Sequence, residues 1–188
     1  MEPLLPKLVE DACRTLQALA NQEDVFQQIA ASAVKTLKSG GKVLACGNGG
    51  SAADAMHLTQ ELVGRFRSNR RSLAGVSLTA DPTALTCIGN DFGFEQVFSR
   101  QVEGIGNKGD ILVCFSTSGN SPNILLALEA AKAKGVTSVA LLGKGGGKAK
   151  GKADFEIIIA NADSGRVQEA HTLILHALLE VVEREVTA

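Results

Sequence analysis

The stretch Lys42-Val-Leu-Ala-Cys-Gly-Asn-Gly-Gly-Ser51 joins a short apolar run to a loop of glycine, amide and hydroxyl residues. The apolar run is bounded by glycines and shows no polar alternation, which indicates a strand buried on both faces. A helical pattern follows from residue 52 to about residue 65. A buried strand that leads through such a loop into a helix is half of a βαβ unit, and it predicts a parallel sheet.

The same order of strand, loop and helix recurs along the chain. Asp110-Ile-Leu-Val-Cys-Phe115 is followed by Ser116-Thr-Ser-Gly-Asn-Ser121 and by a helix to about residue 134. Further strands are predicted over 72–78, 137–142 and 155–160, a last helix over about 165–186, and two helices, broken near 21–24, over about 4–37. We therefore predict an α/β fold, a single domain over 1–188 with a five-stranded parallel sheet of flavodoxin-like type between helices. The extra N-terminal helices are expected on the core or at an oligomer interface.

Composition narrows the class of partner. The 188 residues suit one domain, and the formal net charge of −1 draws the chain neither to nucleic acid nor to a membrane surface. Trp and Tyr, on which the bases of a nucleic acid could stack, are absent. Charged residues interrupt the N-terminal stretch, which therefore lacks the pattern of a secretory signal, and no apolar segment is long enough to span a bilayer. We therefore expect a cytoplasmic protein without a nucleic-acid or membrane partner. Dense basic runs occur only at 65–71 and 144–152.

Two smaller features carry their own predictions. The four cysteines show no CxxC spacing and have apolar or small neighbours, which favours reduced, buried thiols. The glycine- and lysine-rich stretch 143–152 is interpreted as a mobile surface loop.

Both loops that follow the central strands are suited to a phosphate. Glycine lets the backbone approach an anion, and the free N–H groups and dipole of a helix N-terminus favour negative charge. Ser51 and Ser121 are equally suited to be plain helix N-caps. The Lys of the nucleotide-binding motif GxxxxGK[ST] is missing. Gly47-Asn-Gly-Gly-Ser-Ala52 matches the loose dinucleotide pattern, but arginines stand where that pattern needs an acid about twenty residues later. A compact sugar phosphate is therefore the favoured ligand, and a dinucleotide the minor alternative.

A metal or proton-transfer site is predicted from the histidines. His57 and Glu61 are four residues apart on one helix face, and the remaining histidines, His171 and His176, lie near Gln168 on the last helix. A lone His/Glu pair is often only mutually bonded, but the concentration of all three histidines in two segments favours a shared site. Gln168 and His176 lie about 80° apart around the helix and roughly 12 Å apart along it. Both residues can therefore bind one ion only by reaching it from opposite sides. Alternatively, one of them does not bind the ion and only orients a ligand, or different subunits donate the two residues. We favour a site at a subunit interface. His171 is expected to have a supporting or structural role.

The chain closely resembles the phosphoheptose isomerases, bacterial members of the sugar isomerase (SIS) domain group, from about residue 10 to the C-terminus. Four segments carry the resemblance: Cys46-Gly-Asn-Gly-Gly-Ser-Ala-Ala-Asp-Ala-Met-His57-Leu-Thr-Gln-Glu61-Leu, Gly89-Asn-Asp-Phe-Gly-Phe-Glu95, Ser116-Thr-Ser-Gly-Asn-Ser-Pro-Asn123 and Arg166-Val-Gln-Glu-Ala-His171 with His176. The resemblance implies conversion of sedoheptulose 7-phosphate to D-glycero-D-manno-heptose 7-phosphate, the first step of ADP- or GDP-heptose precursor synthesis for bacterial surface polysaccharide. It also implies a homotetramer with one Zn²⁺ per subunit near subunit boundaries.

Residue by residue, the resemblance implies metal contacts from His57, Glu61, Gln168 and His176. It implies substrate contacts from Asn48, Gly49, Gly50, Asn90, Asp91, Ser116, Thr117, Ser118 and Ser121; Ser51, Glu61, Arg65 and Gln168 are further candidate substrate-binding residues. For the enediol chemistry we expect Glu61 as base and His176 as acid. The alternative is a non-catalytic SIS module that binds a sugar phosphate or a protein such as the replication initiator, for which the metal-ligand set would be unnecessary.

Overall fold

A computed structural model of the chain describes residues 3–187. The helices are α1 (Leu4–Ala18), α2 (Glu23–Lys38), α3 (Gly50–Val63), α4 (Pro82–Phe92), α5 (Ser99–Ile105), α6 (Pro122–Lys134) and α7 (Ser164–Thr187). The strands are β1 (Val43–Gly47), β2 (Gly75–Ser77), β3 (Ile111–Ser116), β4 (Thr137–Leu142) and β5 (Phe155–Ile158). Short 3₁₀ turns cover Leu19–Gln22, Phe94–Gln96 and Lys144–Ala149. None of the helices within 3–187 has the length and apolar composition needed to cross a bilayer.

The five strands form one parallel sheet in the order β2-β1-β3-β4-β5, as the flavodoxin-like prediction requires. The chain runs outward from β1 in both directions, so the gap between β1 and β3 is the topological switch point. Here the two strands pair in register from Val43 opposite Ile111 to Gly47 opposite Phe115. Both predicted phosphate loops therefore leave the sheet side by side, at its carboxyl edge.

Alternating side chains of the strands feed two separate cores. Val43, Ala45 and Phe115 face the helices α2, α3 and α7, and Leu44 and Cys46 face α5 and α6. All five residues of β1 and all six of β3 are buried, which explains why these strands read as continuous apolar runs. The core on the first face carries α3 and α7, the two helices on which the predicted histidine site depends.

Several sequence predictions are wrong in detail. The strand predicted over 72–78 is reduced to β2, because the backbone N–H of Leu73 donates to the carbonyl of Leu62 instead of to the sheet. Helices α4 and α5 were not predicted. Cys46 and Cys114 are buried free thiols, as expected, but Cys13 and Cys87 are exposed. The stretch 143–152 is not a detached loop, since Gly146 and Ala149 of its 3₁₀ turn are buried.

A buried carboxylate fixes the register at the start of the two central strands. Asp110 accepts hydrogen bonds from the backbone N–H and the ammonium of Lys42 (2.9 and 2.6 Å) and from the N–H of Asn107 (2.8 Å). Burial by itself raises the pKa of Asp110, but the hydrogen bonds and charge of Lys42 outweigh it, so that the pKa is lowered. The ionised carboxylate therefore stabilises the folded chain.

Asp110→Asn is expected to lower the free energy of unfolding by about 1.5–3 kcal/mol at neutral pH, because it removes a charge-assisted pair. Since the folded-state pKa is the lowered one, this stabilisation is full above the ordinary Asp pKa and is lost as the pH falls through the folded value. Denaturant unfolding of variant and parent should therefore converge in acid. Asp24→Asn, which changes an exposed carboxylate on α2, is the control and should change little. A gap that persists at low pH would contradict the assignment.

Candidate active site

One end of the site is formed by the loop between β1 and α3, the loop between β3 and α6, and the first turns of these two helices. Asn48 lies between β1 and α3, and Asn123 lies in the first turn of α6. Each side-chain amide donates to the other's carbonyl oxygen at 2.9 Å, so the pair ties the two loops together. Gly49 takes a positive φ of 57° at the N-terminus of α3, where it is exposed.

A cleft of about 350 Å³ opens beside this amide pair. It is lined by Asn48, Ser121 and Asn123 from the two loops and by Phe94 and Glu95 from the 3₁₀ turn after α4. Ser121 holds the N-cap position of α6, yet its side chain makes no capping hydrogen bond. The prediction that Ser121 is an N-cap is confirmed in position, but its hydroxyl does not cap the helix and remains available to a ligand. Ser51 is buried within the first turn of α3 and does not hold the N-cap position, which Gly49 occupies.

The second loop is built around its own glycine. The buried Ser116 hydroxyl accepts the N–H of Gly119 (3.1 Å), and the Ser118 hydroxyl accepts the N–H of Asn120 (3.2 Å). Thr117 between them is half-buried. The loop is thus held by its own side chains before any ligand is bound.

The 3₁₀ turn Lys144–Ala149 packs directly onto this second loop. Asn120 accepts the N–H of Lys148 (3.0 Å), and Gly119 accepts the N–H of Ala149 (2.9 Å). Gly119 has a φ of 63°, and a Cβ there would overlap the carbonyl of Gly146. The glycine-rich stretch therefore supports the loop from behind, and the two segments fit only because neither has a side chain at the contact.

Helices α3 and α7 run side by side in the same direction. Three contacts occur at almost the same sequence offset: Gln168 against Gly50, Thr172 Oγ1 with Asp54 Oδ1 at 3.2 Å, and His176 against His57. The Gln168 amide lies where a side chain on Gly50 would be. The contact of Gln168 is therefore at the loop end of the site, and that of His176 is about 10 Å further along α3.

The second end of the site consists of His57, Glu61 and His176. His57 Nε2 lies 3.4 Å from His176 Nε2 and 3.5 Å from Glu61 Oε1, and the His57 and His176 rings meet edge to face. The Phe66 ring stacks on the His176 ring with their centroids 5.6 Å apart. A carboxylate and two imidazoles are thus gathered in one chain, whereas the sequence prediction favoured a site completed at a subunit interface.

The side chains of His57, Glu61 and His176 are of the types that bind transition metals, and part of their geometry also suits a metal. Donors of a tetrahedral zinc site, with bonds of about 2.0–2.1 Å, are about 3.4 Å apart. The two measured separations match this value. Within 3–187, however, no three His, Cys, Asp or Glu side chains are arranged so that they could hold a metal ion together. Binding would require further closure, or a ligand from outside this set.

Burial affects the two histidines of α7 differently. Partial burial and the neighbouring His57 ring lower the pKa of His176, which favours its neutral form. His171 is fully buried against Phe115, and burial lowers its pKa to about 4. Neither ring nitrogen of His171 has a hydrogen-bond partner among the described residues. His171 is therefore a neutral core residue, in line with the structural role expected for it.

Three predicted substrate residues lie apart from these contacts. Arg65 is exposed just beyond α3 and donates to Asn69 at 2.9 Å. Asn90 and Asp91 are exposed at the end of α4 and bond to each other at 2.7 Å. In the part of the chain that the structure describes, no hydrogen bond or ion pair links them to the loops or histidines.

The structure adds residues that the sequence did not single out as site residues. Asn123 and Glu95 were quoted only as parts of motifs, although both line the cleft. Asn120 and the glycines behind it have no chemical signature in the sequence. Only the packing of the 3₁₀ turn on the loop reveals their importance.

The chain is similar to known proteins over nearly its whole length. The SIS domain family model matches residues 9–143. A phosphoheptose isomerase from Fusobacterium nucleatum is 51% identical over 181 residues, covering 96% of this chain and 89% of its own. The solved phosphoheptose isomerase of Neisseria gonorrhoeae has a TM-score of 0.89 and 39% identity, covering 96% and 97% of the two chains. That of Francisella tularensis has a TM-score of 0.92 and 35% identity, covering 96% of each.

Gly119→Ala is expected to destabilise the chain more than Gly151→Ala. Both glycines have positive φ, so each substitution costs about 1–2 kcal/mol of backbone strain, but nothing lies within 4 Å of the Gly151 position. At Gly119 the methyl group adds an overlap worth about 1–3 kcal/mol. Denaturant unfolding measures the difference, and equal losses for the two variants would contradict the packing of the loop on the 3₁₀ turn.

Proposed function

The chain belongs to the SIS domain family and, within it, to the phosphoheptose isomerases, and on this premise we propose that it converts sedoheptulose 7-phosphate to D-glycero-D-manno-heptose 7-phosphate. The observation that carries the proposal is the pairing of two glycine–hydroxyl loops with the His57, Glu61 and His176 cluster on helices that start at, or pack against, the same loops. The loops suit the phosphate, and the cluster suits proton transfer.

The phosphate group would bind at the loop end. The N-termini of α3 and α6 place the positive ends of their helix dipoles at the two loops. Ser118, Ser121 and Thr117 supply hydroxyl donors from the second loop, and Asn48 supplies an amide from the first. The Asn48–Asn123 pair keeps both loops in position before the substrate arrives, which reduces the ordering cost of binding.

The proton transfers would take place at the histidine end. Isomerisation needs a base that takes a proton from one carbon, an acid at the neighbouring oxygen, and donors that stabilise the developing enediolate. Glu61 is the proposed base. His176 is the proposed acid, and its Nε2 lies 3.4 Å from Nε2 of His57. The stacked Phe66 ring holds the His176 ring in place and excludes water from one face.

One Zn²⁺ per subunit is part of the proposal. His57, Glu61 and His176 would hold it, with Gln168 as the fourth ligand, and the ion would polarise the carbonyl or orient the sugar, worth several kcal/mol. Gln168 contacts the loop end of α3, whereas His176 contacts His57 about 10 Å away. This separation favours the arrangement in which different subunits complete one metal site.

A homotetramer follows as a proposal from the same argument. Apolar side chains are exposed on α1, at Leu4, Leu5 and Val9, and around an open groove of about 800 Å³ beside the edge strand β2. Such surfaces suit contacts between copies of one chain. We expect the purified chain to sediment as a tetramer, and a monomer at micromolar concentration would contradict shared sites.

The proposal includes a cytoplasmic location and a first step in heptose precursor synthesis for surface polysaccharide.

Glu61→Gln is expected to lower kcat by about 10²–10⁴-fold, because the amide keeps the shape of the side chain but cannot accept the proton. Formation of the aldoheptose 7-phosphate, followed by NMR, measures the effect. Glu180→Gln, an exposed change on α7, is the matched control and should keep parental turnover. Near-normal turnover of Glu61→Gln would remove Glu61 from the role of base. An inactive parent would instead favour a non-catalytic binding module.

A further inference from the structure

The basic run 65–71 contains an arginine whose side chain is almost completely buried. The Arg70 side chain is only 2% exposed, and it pairs with Glu183 of α7, which is 8% exposed, at 3.1 Å. By contrast, Arg67 pairs with Glu180 at 3.0 Å with both side chains more than half exposed. Glu180 and Glu183 of α7 therefore each pair with one arginine of the basic run, and the pair of Arg70 with Glu183 is buried.

Arg70 uses its guanidinium on the end of the helix that carries the proposed base. Nη2 donates to the carbonyl oxygen of Glu61 (2.6 Å) and Nη1 donates to that of Leu62 (2.9 Å). The last carbonyls of a helix lack partners within the helix, so a donor here fixes its final turn. Arg70 thus completes the turn to which Glu61 itself belongs.

Glu183 connects this capped turn to the second helix of the site. One carboxylate oxygen receives Arg70 Nε, and the other receives the backbone N–H groups of Arg67 and Ser68 at 2.9 and 3.2 Å. Glu183 lies two turns after His176 on α7. The pair therefore ties the end of α3, with Glu61, to the helix that carries His176.

We propose that Arg70 and Glu183 form a positioning clamp that sets Glu61 against His176 for proton transfer. The clamp touches neither side chain of the reacting pair and acts through the carbonyl of Glu61 and the fixed spacing of α3 and α7. It deepens the proposed isomerase function and rests on it for the expected kinetic effect. Loss of the clamp would let the last turn of α3 fray, and a misplacement of about 1 Å costs on the order of 10²-fold in rate.

The double variant Arg70→Met/Glu183→Leu tests the clamp without leaving a buried charge unpaired. We expect kcat to fall by about 10- to 100-fold while KM for sedoheptulose 7-phosphate stays within about threefold, because the phosphate loops are untouched. Amide hydrogen exchange over residues 58–66 should accelerate, since the capped turn opens locally. Glu180→Gln, which removes the exposed pair of the same segment by changing only its partner on α7, is the control and should change neither quantity.

Arg70→Lys keeps the charge opposite Glu183 but cannot reproduce the fork to both carbonyls, so its kcat and exchange rate should lie between those of parent and double variant. If the double variant does not fold, Arg70→Lys decides alone. Parental exchange over 58–66, together with a kcat within about twofold of the parent, would overturn the clamp. If the parent chain converts no heptose phosphate, the proposed function fails, and the exchange measurement still decides whether Arg70 holds the end of α3.

Discussion

The parallel pairing of β1 with β3 is the constraint on which the rest of the molecule depends. Its register places Gly47 opposite Phe115, so the two strands end together and their loops leave the sheet as neighbours. Asp110 secures the same register at the opposite end through the backbone and side chain of Lys42. A slip of one residue would exchange the two core faces of the strand and separate the loops. The reciprocal bonds of Asn48 and Asn123 are possible only in this register.

The second constraint is the alignment of α3 with α7. Because the helices run in the same direction with a nearly constant offset, the site is divided into a loop end at Gly50 and Gln168 and a histidine end at His57 and His176. A sugar phosphate has the same division, with its phosphate at one end and its carbonyl at the other. In the described chain, this separation keeps Gln168 away from the other three proposed metal ligands.

The sequence predicted the architecture well where a residue's environment depends on its neighbours in the chain. The strands β1, β3 and β4 are buried on both faces, so continuous apolar runs identify them. Helix α4 has no fully buried residue, but Leu85 and Ile88 pack on the core at helical spacing and Asp81 caps the helix, so its signal in the sequence was present and was missed. The strand 72–78 was predicted too long because the bond from Leu73 to Leu62 is tertiary.

The sequence also predicted part of the candidate site. The spacing of His57 and Glu61, together with His176 of the last helix, identified residues that the structure brings within 3.5 Å of one another along the chain His176–His57–Glu61. Partners far apart in the chain stayed hidden. Gly119 with Gly146, and Arg70 with Glu183, meet through packing, and neither pair has a motif. Asn90 and Asp91 came from the family resemblance, and in this single chain they lie on an exposed helix end away from the other candidates.

The most direct test of the account is conversion of sedoheptulose 7-phosphate, followed by NMR, with zinc-replete and chelated protein side by side. We predict formation of the aldoheptose 7-phosphate that falls on chelation and returns when Zn²⁺ is added, because the cluster of His57, Glu61 and His176 would then act as one metal-assisted site. Conversion that is indifferent to chelation would contradict the metal at this cluster. Absence of conversion with any metal would contradict the isomerase itself.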